Sequence, residues 1–326
     1  MERREFITLL SGAAALWPLA ARAQQPAMPV IGYLYPGSLE TSAQRVAAFR
    51  KGLTETGFVE GQNVTIDFRW AASNDRLPEL AADLVRRRVA VIATPASTPA
   101  ALAAKSAATD IPVIFGIGSD PVKDGLVASF NRPGGNVTGV TFLTGELGAK
   151  RFGLAHDLLP QATRFAVLVN PKNPLFDSFL TDVRAAAANV GAQIEPLNAS
   201  TTRDIDVAFA SLVQKPADAL LVGPDALFNA RRVQIVILAT RQAVPTICTS
   251  RDFTEIGGLV SYGPNTAEVI RQVGVYTGRV LKGENPANLP VLESTKLELV
   301  ISLPTAKALG ITIPPGVLAI ADEVIE

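Results

Sequence analysis

An α/β fold of two Rossmann-like lobes, each on a parallel sheet, follows from three features of this 326-residue sequence. Short apolar runs alternate with helix-spaced segments, the order that right-handed βαβ units on a parallel sheet require. The alternation runs to about residue 142 and then starts again, so one element order is used twice. Apolar residues make up 48% of the chain, enough for two cores, while aromatics are only 6%, so alanine, valine and leucine must fill most of the interior.

The first lobe opens with Val30-Ile31-Gly32-Tyr33-Leu34-Tyr35, a buried-strand pattern ended by Pro36-Gly37-Ser38. Residues 41–56 carry Val46, Phe49 and Leu53 at helical spacing and stop at Gly57. Residues 64–68 alternate as a strand, and residues 76–87 form a helix with Leu77, Leu80, Leu84 and Val85 on one face. A third strand at 89–93, broken at Thr94-Pro95-Ala96-Ser97-Thr98, precedes an alanine-rich helix at 98–107. Residues 111–142 then run from an apolar strand through Gly118-Ser119-Asp120-Pro121 to a glycine turn and a second β-branched strand. That stretch combines a ligand loop with the first crossing between lobes.

The second half repeats the scheme: helix 145–158, strand 165–169, helix 175–189, strand 192–197, helix 203–213, strand 218–222, helix 225–241 and strand 244–248. Residues 257–262 bring the chain back. Helix 266–281, strands near 289–291 and 297–301, and a short helix from 305 complete the tail. Since the second lobe already has its strands, the tail is expected to pack on the first. The expected division is 28–142 plus 264–326 for lobe 1 and 143–263 for lobe 2. The lobes would join through a multi-segment hinge near 142–144, 262–264 and 285–296, with the ligand cleft between them.

Residues 1–23 stand apart as a signal peptide, removed on export. Arg3-Arg4 opens a basic segment, residues 7–19 are an apolar run too short for an ordinary membrane span, and Ala21-Arg22-Ala23 is a small-x-small cleavage signature. Paired arginines two positions before Phe6 resemble a twin-arginine signal, with general secretion as the other route. Cleavage takes three arginines and two glutamates, so 30 basic and 30 acidic residues become 27 and 28. A net charge of −1 offers no basic patch for nucleic acid. Cys248 is the only cysteine, so no intramolecular disulfide forms, and no cysteine at the cleavage site provides a lipid anchor. A free periplasmic protein with no direct membrane anchor is expected.

Ligands of parallel α/β sheets bind beyond the carboxyl ends of the strands. Here those ends are rich in Ser, Thr, Asn, Asp, Gly and Pro. Helix N-termini leave N–H groups unsatisfied and carry partial positive charge, suited to a carboxylate. The candidate ligand-binding residues are Tyr35, Ser38, Thr94, Ser97, Asp120, Phe142, Asn170, Asp225, Ser250 and Tyr262. The hydroxyls would assist a carboxylate, the acids would meet an ammonium, and the rings would cover an apolar part. The same Ser, Thr and Asp residues are also preferred helix caps, and Asp120-Pro121 also reads as a simple turn.

Enzyme signatures are scarce. His156 is the only histidine and sits within a helix. There is no nucleophile elbow, Walker lysine loop or Cys/His metal spacing. Gly116-Ile117-Gly118 lacks the third glycine of a dinucleotide loop. No cofactor, no metal and no catalytic residue is expected.

Several stretches carry a resemblance: 47–53, 57–64, Asp120-Pro121-Val122 with Gly125-Leu126-Val127, Pro133-Gly134-Gly135-Asn136-Val137-Thr138-Gly139-Val140, and Lys307-Ala308-Leu309-Gly310. The sequence resembles the solute-binding proteins of ABC transporters, in the group that includes tryptophan and tyrosine transport components. The resemblance covers nearly the whole mature chain. It implies a type-I-like periplasmic binding fold, two lobes closing on a ligand, and a membrane permease partner. Ala226 stands where aromatic-amino-acid binders often have Asn. The expectation is a periplasmic binding protein that delivers a small molecule, an amino acid or an aromatic or organic acid, to an ABC permease. The alternatives are a ligand-sensing receptor subunit and a periplasmic α/β enzyme using Asp120 or Asp225 as general base.

Overall fold

A computed structural model describes residues 28–142 and 147–326. The expected signal peptide at 1–23 and the crossing at 143–144 lie outside the described residues.

The first lobe runs β1 (Val30–Pro36), α1 (Ala43–Glu55), β2 (Thr65–Ala71), α2 (Leu77–Arg86), β3 (Val91–Thr94), α3 (Thr98–Ala107), β4 (Val113–Ile117) and β5 (Val137–Thr141). The second runs α4 (Gly148–Leu158), β6 (Arg164–Val169), α5 (Phe176–Asn189), β7 (Gln193–Asn198), α6 (Thr202–Gln214), β8 (Ala219–Val222), α7 (Ala226–Ala230), α8 (Arg232–Arg241), β9 (Thr246–Cys248), α9 (Arg251–Thr254) and β10 (Val260–Pro264). The tail holds α10 (Thr266–Leu281), β11 (Leu292–Glu293), β12 (Leu297–Ser302), α11 (Leu303–Ala308), α12 (Pro315–Ala319) and β13 (Glu323–Ile325).

Two sheets result. The first has the order β11-β5-β4-β3-β1-β2 and is wholly parallel. The second has the order β13-β12-β10-β9-β8-β6-β7, with β10 and β12 its one antiparallel pair. The central strands β3, β4 and β8 are buried along their whole length, which accounts for continuous apolar runs rather than alternation.

The tail corrects the expectation that 264–326 packs on the first lobe. Helix α10 and strand β11 do join the first sheet's lobe, but β12 and β13 complete the second sheet. Strand β12 satisfies the backbone of β10, with Val260 opposite Ile301 and Tyr262 opposite Leu299. Its apolar side chains close a separate cluster with Leu158, Leu259, Ala306, Ile313 and Val317. An uncovered β10 would have left a row of unpaired backbone groups beside an apolar face. The chain therefore passes between sheets between β5 and α4, between β10 and α10, and between β11 and β12.

Helix α10 packs on α1 at glycine contacts. A Cβ on Gly52 would overlap the Arg271 carbonyl oxygen, and one on Gly274 would overlap that of Phe49. This close approach seats Val269, Ile270 and Val273 against Tyr33, Val46 and Phe49 under the first sheet. On its other face Leu34, Ile92 and Phe115 meet Leu84, Ala101 and Ala104. Ala226, from the second lobe, packs against the first lobe's core.

Candidate functional site

Strand ends from both sheets meet around a half-open cavity of about 50 Å³. From the first lobe, β3 turns at Pro95-Ala96, where Ala96 takes φ +57. Gly116 permits this turn, since a Cβ there would stand 2.9 Å from the Ala96 nitrogen. Ser97 then caps α3, accepting from the Ala100 amide at 3.3 Å. Beside it, Thr98 and Ser119 share a hydroxyl hydrogen bond of 3.0 Å, and Ser119 donates to Asp124. Thr141 at the end of β5 donates to the Ser119 carbonyl at 2.8 Å, which fixes the loop next to Phe142.

From the second lobe, β8 delivers Asp225 as the cap of α7. Its carboxylate accepts from the Asn170 amide at 3.1 Å, the Asn173 amide at 2.6 Å and the Leu227 backbone at 2.7 Å. Both oxygens are thus engaged. Burial pushes the carboxyl above the ordinary aspartate range, against the pull of these hydrogen bonds. Strand β9 brings Thr249 and Ser250 to the wall, and β10 brings Pro264, followed by Thr266 at the start of α10. Asn265 caps that helix, accepting from Glu268 at 2.9 Å.

Four of the ten sequence candidates line the cavity: Ser97, Phe142, Asp225 and Ser250. The other six stand outside the lining. Tyr35 is fully buried edge-on to Trp70, and Thr94 is fully buried at the strand end. Ser38 pairs with Thr41 within its own turn. Asp120 accepts from Val122 at 2.9 Å and Lys123 at 3.2 Å, the hydrogen bonding of a turn cap. Asn170 supports Asp225 from behind and holds Ser200 at 2.8 Å. Tyr262 packs toward the β12 cluster.

The wall also contains Thr98, Asn173, Asn229, Thr249 and Thr266, which the sequence candidates omitted. Asn229 could have been found, since it lies four residues after Asp225 on the same helix and so shares its face. Among the described residues the lining carries no Lys, Arg or His, and its one carboxylate is the engaged Asp225. Charge on a ligand would meet hydroxyls, amides and the N-terminal ends of α3 and α10, which favour an anionic group. No group of His, Cys, Asp and Glu among the described residues could hold a metal ion.

The lobes also touch outside the cavity. Arg45 on α1 meets Asp252 on α9 at 2.7 Å, Arg232 donates to the Thr41 carbonyl at 2.8 Å, and Lys172 meets Asp75 at 2.6 Å.

Two α/β lobes, three chain crossings and a cavity lined from both lobes define a two-lobed ligand-binding protein of the type-I periplasmic binding fold. Residues 38–325 match the model of the ABC transporter substrate binding protein family, and the chain belongs to that family. It is 30% identical over 264 residues to a tyrosine-binding protein of Clostridioides difficile, spanning 80% of this chain and 75% of that one. It is also similar to the Streptococcus pneumoniae ABC domain solved in complex with L-Trp. That match has 27% identity, 92% of this chain, 100% of the other and a TM-score of 0.80. The ligand-free, open structure of the Clostridium difficile substrate-binding protein CD0873 has 26% identity, with 91% of this chain and 99% of the other covered. Its TM-score is 0.59. The identities are nearly equal, and the overlay on the L-Trp complex is the better of the two. No helix of the described residues is long and apolar enough to cross a membrane.

Proposed function

We propose that this chain captures a small carboxylic acid, foremost an aromatic amino acid, between its lobes in the periplasm and delivers it to an ABC permease. The observation that carries this reading is the cavity lined by Ser97 and Thr98 at the start of α3 together with Ser250, Asn229 and Thr266. Helix N-termini and hydroxyls supply donors for a carboxylate, and Phe142 supplies an apolar wall. The L-Trp and tyrosine binders among its relatives support the choice of ligand class. Binding would bias a two-state closure, because the ligand touches both rims only when the lobes are shut.

The general-base alternative is poorly supported. Asp120 caps its turn outside the lining, and Asp225 has both oxygens engaged. The test is a thermal-shift screen of aromatic amino acids, aromatic acids, purines and short-chain acids. At a hundredfold excess over Kd a ligand adds about 2.7 kcal/mol, roughly 5 °C or more in Tm. No shift with any class would refute the reading. Sequencing the N-terminus of the exported product tests the signal peptide and its cleavage near Ala23.

A further inference from the structure

We propose that Arg45 and Asp252 form a latch that sets how much of the protein is closed, and through that the ligand affinity, without either residue touching the ligand. Neither lines the cavity. They come from opposite lobes, 207 positions apart in the chain, and meet at 2.7 Å. Arg45 is 5% exposed and Asp252 17%, whereas a second interlobe ion pair, Lys172 with Asp75, is 49% and 60% exposed. Surface pairs contribute little, and a buried pair behaves differently in kind.

Position gives the pair its leverage. Two of the chain crossings leave the first sheet at β5 and β11, the edge pair. Arg45 follows β1, on the other side of that sheet. Rotation about the crossings therefore parts the lobes widely at Arg45. Opening separates the pair and admits water to both charges.

The surroundings make the closed state conditional on both partners. The guanidinium lies 5.9 Å from the centroid of the Tyr35 ring. Arg45 Nη1, the Tyr35 hydroxyl and the hydroxyls of Ser42 and Thr254 are buried with no hydrogen-bond partner among the described residues. Among the described residues Asp252 is the one carboxylate that pairs with Arg45, so its loss leaves the guanidinium without a counter-charge. Closing would then bury an uncompensated cation, while the open state would leave it hydrated. A buried guanidinium and a partly buried carboxylate also carry a desolvation penalty that an apolar pair of similar size avoids. The latch thus predicts a reversal of sign: losing one partner opens the protein, and losing both to apolar residues lets it close again.

The experiment measures interlobe distances in the ligand-free full chain by spin labels at Glu79→Cys and Lys215→Cys, both exposed and on opposite lobes. Cys248 is buried, with its thiol pushed up to about 12, and stays unlabelled. Asp252→Ala should lower the closed fraction about tenfold or more. Arg45→Met/Asp252→Leu should restore it to the wild-type level or above. A closed fraction unchanged in Asp252→Ala, a double variant as open as the single one, or no closed fraction in the parent would each overturn the latch. These readouts need no ligand, so they stand or fall separately from the proposed aromatic ligand. Circular dichroism on each variant separates opening from unfolding.

Discussion

Replacing Asp225 by Asn tests whether this acid binds ligand or builds the wall. The carboxylate accepts three N–H groups: Asn170 and Asn173 on one oxygen and Leu227 on the other. An amide at 225 keeps one oxygen and turns an NH₂ toward the donors. The two asparagines cannot flip to meet it at no cost. Asn170 Oδ1 already accepts from the Lys172 amide at 3.0 Å and the Ser200 hydroxyl at 2.8 Å. Asn173 Oδ1 accepts from the Leu175 amide at 2.9 Å. At least one buried donor therefore loses its acceptor, at about 1–3 kcal/mol: the Leu227 amide if the remaining oxygen serves both asparagines, or the asparagine amides if it does not. Removing a desolvated charge offsets part of this, since burial already disfavours the ionised form. The expected net loss is about 1–2 kcal/mol, roughly 2–3 °C in the ligand-free midpoint for a chain of this length. Urea and thermal unfolding without ligand measure it. A midpoint unchanged by the substitution would refute the wall-building role. If Asp225 instead pairs with a ligand ammonium, ligand-free stability would hold while affinity for an L-amino acid falls.

Four further outcomes follow from the structure. Gly52→Val should destabilise strongly or abolish folding, because its side chain would enter the Arg271 backbone of α10; soluble yield and Tm measure this, and a wild-type Tm would refute the packing argument. Thr201 and Asp204 form a capping box at α6, so Thr201→Ala should cost about 1 kcal/mol in urea unfolding. Backbone hydrogen bonds from Ser200 and Thr201 hold the Asp204 carboxyl below the ordinary aspartate range. Its folded pKa lies under the unfolded one, so the stabilisation is present above about pH 4 and fades as pH falls through the folded value. Acid titration of Asp204→Asn should show a flatter acid limb than wild type. Ser119→Ala removes the hydroxyl joining Thr98 to Asp124, and should weaken ligand binding measured calorimetrically while leaving a folded protein.

The sequence by itself determined the elements and their order. Period-two and buried apolar runs separated by helix-spaced segments are local signals, and Ser97, Thr201 and Asp225 cap helices as short-range chemistry requires. The strand-end loops around the cavity were legible for the same reason, because a parallel sheet puts every carboxyl end on one edge. Which residues on those loops face inward was not legible. Asp120 and Asp225 look alike in sequence, yet one caps an outer turn and the other lines the cavity. That difference depends on how two sheets are set against each other. The tail shows the same limit. Strand β12 is an apolar run that could cover either sheet, and only the open edge of β10 beside a matching apolar cluster decided its place. Arg45 and Asp252 stand 207 positions apart, and no local pattern links them. Only the tertiary structure brought them together and buried Arg45, because the energy of such an ion pair depends on solvent exclusion, which no local pattern encodes.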